Sequence, residues 1–297
     1  MNKDANDIRF LRKSILLEAC KAMGFRPGSW QQRLFEAFFW LPAQRFAYSA
    51  VEYDRQIDRF GLNISMSSLL PRLANYIEVK GADQIPLEGP LMIVSNHPGA
   101  FDGIVIISQL PRNDIKLIIS DVPFTRGMKS ASQYLIYSTG ENMQERMSAV
   151  RQSIRHLRTG GVLMLFPTGV VDPDPSFMPG AEEALVNWST SLEFLLRQVP
   201  DTCIVPTIVS GVIGPKFYNN YFARQQKTVR SRQKVAEYFE IAYLMVFNKD
   251  LGLSPRVSFG RPLSPAELGA DQNNGKTVMD IILDRTRDLL NEHIRRI

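Results

Sequence analysis

The spacing of apolar residues changes along the chain, and the change predicts two kinds of structure. In the first part they recur every three or four residues, as Ile8, Leu11 and Ile15 do, which is the spacing of one helix face. Arg26-Pro27-Gly28 is expected to break this helical pattern. The chain is therefore predicted to be helical up to about Tyr76.

Beyond that point, short apolar runs alternate with helix-like segments. Buried strands are predicted at Leu91–Ser95, Ile115–Ile119, 162–166, 203–209 and Arg256–Phe259. Helices are predicted at Met143–Arg158, 182–196 and 277–297, with a capping box at Ser264-Pro265-Ala266-Glu267. This alternation predicts an α/β fold, a layered sheet of mostly buried strands flanked by helices, preceded by an N-terminal helical segment.

The predicted domain organisation follows the same change of pattern. Residues 1–76 are expected to form a helical segment, and residues 77–297 an α/β domain. The helical segment contains an aromatic run from Leu34 to Tyr48. Two interpretations stay open: a helix packed on the core, or helices lying in a membrane interface, where aromatic side chains favour the headgroup level.

Composition excludes several classes of protein. Hydrophobic residues make up 44% of the 297 residues, which excludes a disordered chain. No apolar run approaches the roughly 18 residues of a spanning helix, and the start lacks a signal-peptide core. Cys20 and Cys203 are too few for a disulfide framework, and the three histidines show no zinc-type spacing, so neither a metal nor another cofactor is expected.

One group of polar residues directly follows a predicted buried strand: Asn96-His97-Pro98-Gly99-Ala100-Phe101-Asp102. If the Pro-Gly turn lets the chain double back, Asp102 can accept from one imidazole nitrogen of His97. The other nitrogen would then take a proton from a hydroxyl, as a general base does. The alternative is a His–Asp pair that only stabilises a loop.

Two further blocks follow later strands, Phe166-Pro167-Thr168-Gly169 and Ile204-Val205-Pro206. Together with Asn-His-x-x-x-x-Asp and the looser Pro123-Phe124-Thr125-Arg126-Gly127, they resemble the glycerolipid acyltransferases. The likeness is to the 1-acylglycerol-3-phosphate (lysophosphatidic acid) acyltransferase family. It covers roughly residues 85–215 in order and spacing and leaves the first 75 residues unmatched.

The resemblance implies an activity and its partners. The family transfers a fatty acyl group from acyl-CoA or acyl carrier protein to a lipid hydroxyl, such as that of a lyso-lipid. His97 would be the general base and Asp102 its orienting group. Substrate contacts would come from Asn96, Pro98, Gly99, Arg126, Phe166, Pro167, Thr168 and Gly169. The expected location is peripheral, on the cytoplasmic face of a membrane.

The chain departs from the family pattern where family members hold the acceptor phosphate. Thr168 and Val171 occupy the places of the family's glutamate and arginine, and Asp172 and Asp174 follow. Valine cannot replace an arginine fork, and two carboxylates near the pocket would repel a phosphomonoester. We therefore predict an acceptor other than lysophosphatidic acid or glycerol 3-phosphate. The alternative is an ordinary acceptor whose phosphate is held by Lys116, Arg126 or Lys129.

The net charge of +5 is unevenly distributed. Six cations and no anion lie between Lys216 and Lys234, beside four aromatic residues. The segment is either a solvated face or a surface that meets anionic lipid or an acidic carrier protein. No nucleic-acid module is recognisable, so nucleic acid is not an expected partner. Two other activities stay open: a silent lipid-binding scaffold, and a thioester hydrolase in which His97 activates water.

Overall fold

A single seven-stranded sheet dominates the computed structural model, which describes residues 3–138, 143–272 and 275–297. In chain order the strands are β1 Glu78–Lys80, β2 Leu91–Ser95, β3 Ile115–Ile119, β4 Leu135–Tyr137, β5 Val162–Leu165, β6 Cys203–Ser210 and β7 Arg256–Phe259. Their spatial order is β1-β7-β6-β2-β5-β3-β4. Neighbouring strands are parallel, apart from the antiparallel pair β6 and β7.

The described residues also form fourteen α-helices. In chain order they are α1 Lys3–Ala22, α2 Trp30–Phe60, α3 Leu62–Leu73, α4 Asp102–Ile107, α5 Pro123–Gly127, α6 Lys129–Ser132, α7 Met143–Arg158, α8 Ala181–Leu185, α9 Ser191–Gln198, α10 Pro215–Tyr218, α11 Tyr221–Arg224, α12 Val229–Phe247, α13 Pro265–Gln272 and α14 Val278–Ile294. The predicted α/β class with N-terminal helices is confirmed.

The centre of the sheet explains why its strands read as continuous apolar runs. Every residue of β2 and β5 is buried, as expected for parallel strands covered on both faces. Leu91 is in register with Val162 on one side and with Cys203 on the other. The carboxyl ends of β2, β5 and β6 therefore lie next to each other, and the loops that follow them meet at one edge of the sheet.

The predicted elements differ from the structure in two ways. The segment 182–196 is not one helix, because α8 ends at Leu185 and α9 begins at Ser191. The break lets Trp188 enter the core and lets the Ser189 amide donate to the Pro167 carbonyl at 3.1 Å. The pattern also missed the short edge strands β1 and β4, since three residues are too few to show a period.

The chain divides into two compact units. The helical unit consists of Met1–Tyr76, Val122–Gln133 and Ile213–Leu253, and the sheet unit consists of Ile77–Asp121, Tyr134–Val212 and Ser254–Ile297. All seven strands belong to the sheet unit. The boundary predicted at residue 76 stays a prediction.

The helical unit has small cores of its own. Leu11 of α1 packs with Ala47 and Ala50 of α2, and Phe124 lies against them. The Asp54 carboxylate accepts the Ser130 amide at 2.9 Å, which joins α2 to the start of α6. Within the described ranges, no helix has the length and apolar character needed to cross a bilayer.

Candidate active site

His97 and Asp102 meet at the carboxyl end of β2. Nδ1 of His97 lies 2.7 Å from Oδ2 of Asp102. The Asp102 side chain is only 2% exposed, whereas that of His97 is 26% exposed. A buried carboxylate thus orients a ring that is itself partly exposed. Because Asp102 engages Nδ1, Nε2 is the nitrogen that a general base of this kind would use.

The local sequence explains how residues five apart come together. After β2, Pro98 and Gly99 turn the chain, and Asp102 is the first residue of α4. The Gly99 amide donates to Asp102 Oδ2 at 3.2 Å, and the Gly103 amide donates to Oδ1 at 2.5 Å. These backbone donors hold the carboxylate in place, so its direction toward His97 does not depend on the histidine alone.

Asn96 has a structural role beside the histidine. Its amide nitrogen donates to the Val209 carbonyl at 2.9 Å, and its amide oxygen accepts the Val209 amide at 2.9 Å. The side chain is buried and thereby ties the loop after β2 to the main chain of β6. These contacts explain the need for an amide at this position without any contact to substrate.

The ring of Phe166 packs against the imidazole of His97. The two rings are stacked, with centroids 4.3 Å apart and planes 18° apart. Phe166 directly follows β5, the neighbour of β2, so the sheet register brings the two rings together. The stacking restricts the tilt of the imidazole plane, and the hydrogen bond to Asp102 sets which ring nitrogen points toward the carboxylate.

The rest of this block shapes a turn. The Thr168 hydroxyl lies 2.8 Å from the Val170 carbonyl and 3.2 Å from Asp172 Oδ2. Gly169 has φ +65° and is exposed, and its amide donates to the Phe166 carbonyl at 3.0 Å. A left-handed residue is needed here, which glycine supplies without strain.

Asp172 is in direct contact with the main chain of His97. The His97 amide donates to Asp172 Oδ2 at 2.9 Å, and the Asp172 amide donates to the His97 carbonyl at 2.7 Å. Burial raises the pKa of Asp172 to about 6, although the hydrogen bond from the His97 amide opposes the shift. The carboxylate is therefore held in an environment that disfavours its charge.

Asp174 binds the backbone just after β6, at the same edge of the sheet. Its Oδ1 accepts from the amides of Ser176 and Gly211 and from the Ser176 hydroxyl, and its Oδ2 accepts from the Val212 amide at 3.1 Å. The side chain is fully buried, and burial raises its pKa. The expectation that Asp172 and Asp174 present a repelling pair to the acceptor is wrong, because both side chains are buried and occupied by protein donors.

The sequence-predicted residues do not all lie in one unit. Asn96, Pro98, Gly99 and the block 166–169 share the sheet unit with His97 and Asp102. Arg126 lies in the last turn of α5 in the helical unit, where it is exposed. Its predicted substrate contact stays a prediction. Among the described residues, no three or more His, Cys, Asp or Glu side chains are grouped so as to hold a metal ion.

Sequence reasoning missed two features of the sheet unit. One is the contact of Asp172 with the His97 backbone. The sole local signal for it is an acidic residue shortly after Phe166-Pro167. The other is the burial of His293 between two hydroxyls, with Ser210 Oγ at 2.7 Å from Nε2 and Ser258 Oγ at 2.8 Å from Nδ1. Burial lowers the pKa of His293 to about 4, so this histidine is neutral and structural.

Comparison with known proteins agrees with this geometry. The family model described as "Acyltransferase" matches residues 76–210, a segment that contains His97, Asp102, Phe166 and Asp172. The resemblance of this segment to the acyltransferase family, which the sequence motifs indicated, is thus confirmed.

The relatives and solved structures are distant. The chain is 21% identical to "Uncharacterized protein Rv0502" of Mycobacterium tuberculosis (strain H37Rv) and to "Uncharacterized protein Mb0514" of Mycobacterium bovis. Each match covers 82% of this chain and 70% of the relative. A similar solved structure is that of the 1-acyl-sn-glycerophosphate (LPA) acyltransferase PlsC from Thermotoga maritima. It has 12% identity and a TM-score of 0.41, covering 96% of this chain and 95% of that chain.

Proposed function

We propose that this protein transfers a fatty acyl group from an acyl thioester to the hydroxyl of a glycerolipid-like acceptor. The observation that carries the proposal is the 2.7 Å contact between Nδ1 of the partly exposed His97 and the buried carboxylate of Asp102. A base oriented in this way suits proton removal from a hydroxyl. Acyl-CoA and acyl carrier protein are the two donors to be tested.

The proposed step needs no group beyond the chain and its substrates. Nε2 of His97 takes the proton of the acceptor hydroxyl while the oxygen attacks the thioester carbonyl carbon. The C–S bond then breaks, and the thiolate leaves with the proton that the imidazolium returns. Asp102 stabilises the imidazolium in between, at a site where burial strengthens the interaction.

The proposed acceptor rests on the residues that follow β5, at Thr168 and Val171. Val171 is apolar and buried where family members carry an arginine, and Thr168 donates its hydroxyl within its own turn. Neither side chain offers the charge that a phosphomonoester requires. An acceptor without a phosphomonoester is therefore favoured, on the strength of these two positions and no longer on the carboxylates of Asp172 and Asp174.

The proposed location is the surface of a membrane, on its cytoplasmic face. Trp30, Leu34 and Phe38 lie four residues apart on α2 and are strongly exposed, Phe38 at 82% and Trp30 at 70%. Side chains at this spacing share one face of a helix. An exposed aromatic face is what the interface between headgroups and acyl chains accommodates.

The test supplies labelled acyl-CoA, or labelled acyl carrier protein, with a total lipid extract. Wild type is compared with His97→Gln and with the control His156→Gln, a histidine of the same unit that bonds to backbone carbonyls. A new acyl lipid from wild type and the control, but not from His97→Gln, supports the proposal. Release of free fatty acid alone supports a hydrolase, and equal products from all three proteins support a scaffold.

The acceptor is tested separately with purified lipids. Lysophosphatidic acid and glycerol 3-phosphate are compared with neutral and amine-bearing lyso-lipids at matched concentrations. We expect a higher kcat/KM for the lipids without a phosphomonoester. A clear preference for lysophosphatidic acid would overturn this part of the proposal and leave the acyl transfer intact.

A further inference from the structure

The cation-rich segment Lys216–Lys234 has no role in the proposed proton transfer. It forms α10, α11 and the start of α12 in the helical unit. The match to the acyltransferase family model ends at residue 210, so these charges lie outside it. The structure divides the six cations of the segment into two groups, those engaged within the protein and those left exposed.

Two of the cations bind other parts of the same unit. Arg232 donates from Nε to the Tyr218 carbonyl at 2.9 Å, and its guanidinium lies 3.9 Å from the centre of the Tyr218 ring. The Lys216 ammonium lies 4.8 Å from the centre of the Phe217 ring and 4.7 Å from that of Tyr243. These contacts attach α10 to α12, so Lys216 and Arg232 have a structural role.

The other four cations are exposed: Arg224, Lys227, Arg230 and Lys234. Within the residues that the structure describes, their side chains make no hydrogen bond or ion pair. Arg230 and Lys234 are four residues apart on α12 and thus share one face of the helix. The first turn of α12 contains no acidic residue, so the positive end of the helix dipole adds to their charge. The four side chains are available to an anionic partner.

Two exposed aromatic rings lie in the same segment. Tyr221 is 72% exposed and Phe222 is 48% exposed, and their rings are 5.5 Å apart and nearly perpendicular. Phe222 also stacks on Phe239 of α12, with centroids 5.4 Å apart and planes 11° apart. The rings are held in place before any partner binds, which lowers the entropy lost on association. The four exposed cations and these two rings form what we call the basic surface.

The composition of the basic surface fits a protein partner better than a bilayer. Arginine and aromatic residues are enriched at protein interfaces. A helix that lies in a membrane interface needs a continuous apolar face. In the first two turns of α12 the exposed residues are Val229, Arg230 and Lys234, and the apolar Val235 is buried. A partner with carboxylates at helical spacing would match the spacing of the two cations.

We propose that the basic surface docks the acidic face of an acyl carrier protein, which delivers the acyl thioester. Complementary charge speeds the encounter of two proteins and fixes their relative orientation. The inference rests on the proposed acyl transfer and names its donor. The docking is measured first without an acyl group or an acceptor, so its failure is distinguishable from failure of the acyl transfer.

Calorimetric titration of the full chain with holo acyl carrier protein, which carries the phosphopantetheine thiol and no acyl group, measures the docking. The surface variant is Arg224→Gln, Lys227→Gln, Arg230→Gln, Lys234→Gln. The control variant removes the same charge from exposed positions of the same unit and is Lys13→Gln, Arg33→Gln, Arg59→Gln, Lys249→Gln. The double variant Arg230→Gln, Lys234→Gln takes the place of the surface variant if that protein does not fold.

We expect the surface variant to bind the carrier about tenfold more weakly than the control variant, because four exposed ion pairs together contribute roughly this factor. The double variant should show a smaller loss, and a higher salt concentration should reduce the difference. Equal losses in the surface and control variants would overturn the proposal, since they would show attraction by net charge alone. No binding by wild type, or equally tight binding of an unrelated protein of matched negative charge, would overturn it as well.

Steady-state kinetics with two donors connects the docking to the reaction. In the surface variant the KM for the acyl carrier protein thioester should rise about tenfold with kcat unchanged, while both constants for acyl-CoA stay as in wild type. An equal rise in the KM for acyl-CoA would assign the surface to the phosphate groups of the donor and overturn protein docking. If the carrier binds but neither donor supports acyl transfer, the docking stands and the proposed function fails.

Vesicles distinguish a lipid partner from a protein partner. The surface and control variants should sediment alike with vesicles of phosphatidylcholine and phosphatidylglycerol, because both lose the same net charge. A loss of vesicle binding confined to the surface variant, with its affinity for the carrier unchanged, would assign the basic surface to anionic lipid and overturn the proposal.

Discussion

Asp172 binds the backbone of His97 through two hydrogen bonds, one to its carboxylate and one from its own amide. The His97 amide donates to the Asp172 carboxylate, and the Asp172 amide donates to the His97 carbonyl. His97 is thus held from two sides, by Asp102 at its ring and by Asp172 at its backbone. The base is fixed in both its position and its rotation.

Asp172→Ala should therefore lower kcat by about tenfold to hundredfold with little change in KM, because the base loses its exact placement. Asp172→Asn should restore most of the rate, since an amide oxygen accepts the same His97 N–H. Steady-state kinetics of both variants checks this. A rise in KM with unchanged kcat would assign Asp172 to substrate binding, and failure of asparagine to restore the rate would show that the charge is required.

Asp102→Asn should reduce kcat on the order of 10³-fold, because the amide keeps the shape but does not stabilise the imidazolium. The matched control is Asp201→Asn, an exposed residue of the same unit, which should leave the rate unchanged. Single-turnover measurements of acyl transfer decide the outcome. A loss of less than a few fold would mean that His97 does not become charged in the reaction.

Phe166→Leu should reduce kcat up to about tenfold, since an aromatic pair contributes roughly 0.5–1.5 kcal/mol beyond its buried area. Phe166→Tyr keeps a ring over the imidazole and should retain activity. Thermal unfolding of both variants serves as the control for folding. If leucine supports the full rate, the stacking of the two rings is not needed to orient His97.

Asp174→Asn should destabilise the fold by about 2–4 kcal/mol. An amide nitrogen would replace one of the two oxygens and meet a backbone N–H, which leaves buried donors unpaired. Denaturant unfolding provides the measurement. The exposed Asp83→Asn is the control and should shift stability by less than about 0.5 kcal/mol.

His293 should make the fold sensitive to acid. Its pKa is lowered from 6.5 to about 4, first by burial and then by Arg256 and Arg296, so the unfolded chain binds a proton at a higher pH than the native state does. This stabilising contribution is complete above pH 6.5 and falls by at most about 3 kcal/mol as the pH falls to 4.

The measurement compares wild type with His293→Gln in denaturant at several pH values. The variant is less stable at neutral pH because it loses the two serine contacts, and the gap should narrow as the pH falls from 6.5 to 4. The comparison between proteins is needed because Asp172, whose pKa is raised, changes stability with the opposite sign over part of this range. A gap that is constant with pH would contradict the assignment.

Much of the fold could be predicted because its signals are local. The strands Leu91–Ser95 and Ile115–Ile119 are short apolar runs, and α7 carries its apolar residues at helical spacing. The prediction of one helix over 182–196 was wrong because helical spacing does not reveal that Trp188 has to enter the core. Strands β1 and β4 depend on their neighbours in the sheet, which no local pattern describes.

The candidate site divides in the same way. His97 and Asp102 were predicted to meet because only four residues lie between them, two of which form a Pro-Gly turn. Asp172 was assigned to the wrong task because its partner, the His97 main chain, is 75 residues away along the chain. A carboxylate in a sequence shows its charge but not whether it faces a substrate or the backbone.

The sequence by itself determined the layered α/β class, the helical N-terminal part and the paired His97 and Asp102, because each follows from periodicity or from residues close together. Only the tertiary structure decided that Phe166 stacks on His97 and that Asp172 and Asp174 are occupied by backbone donors. These contacts join segments that are distant in sequence, and they form only when the register of β2, β5 and β6 is set.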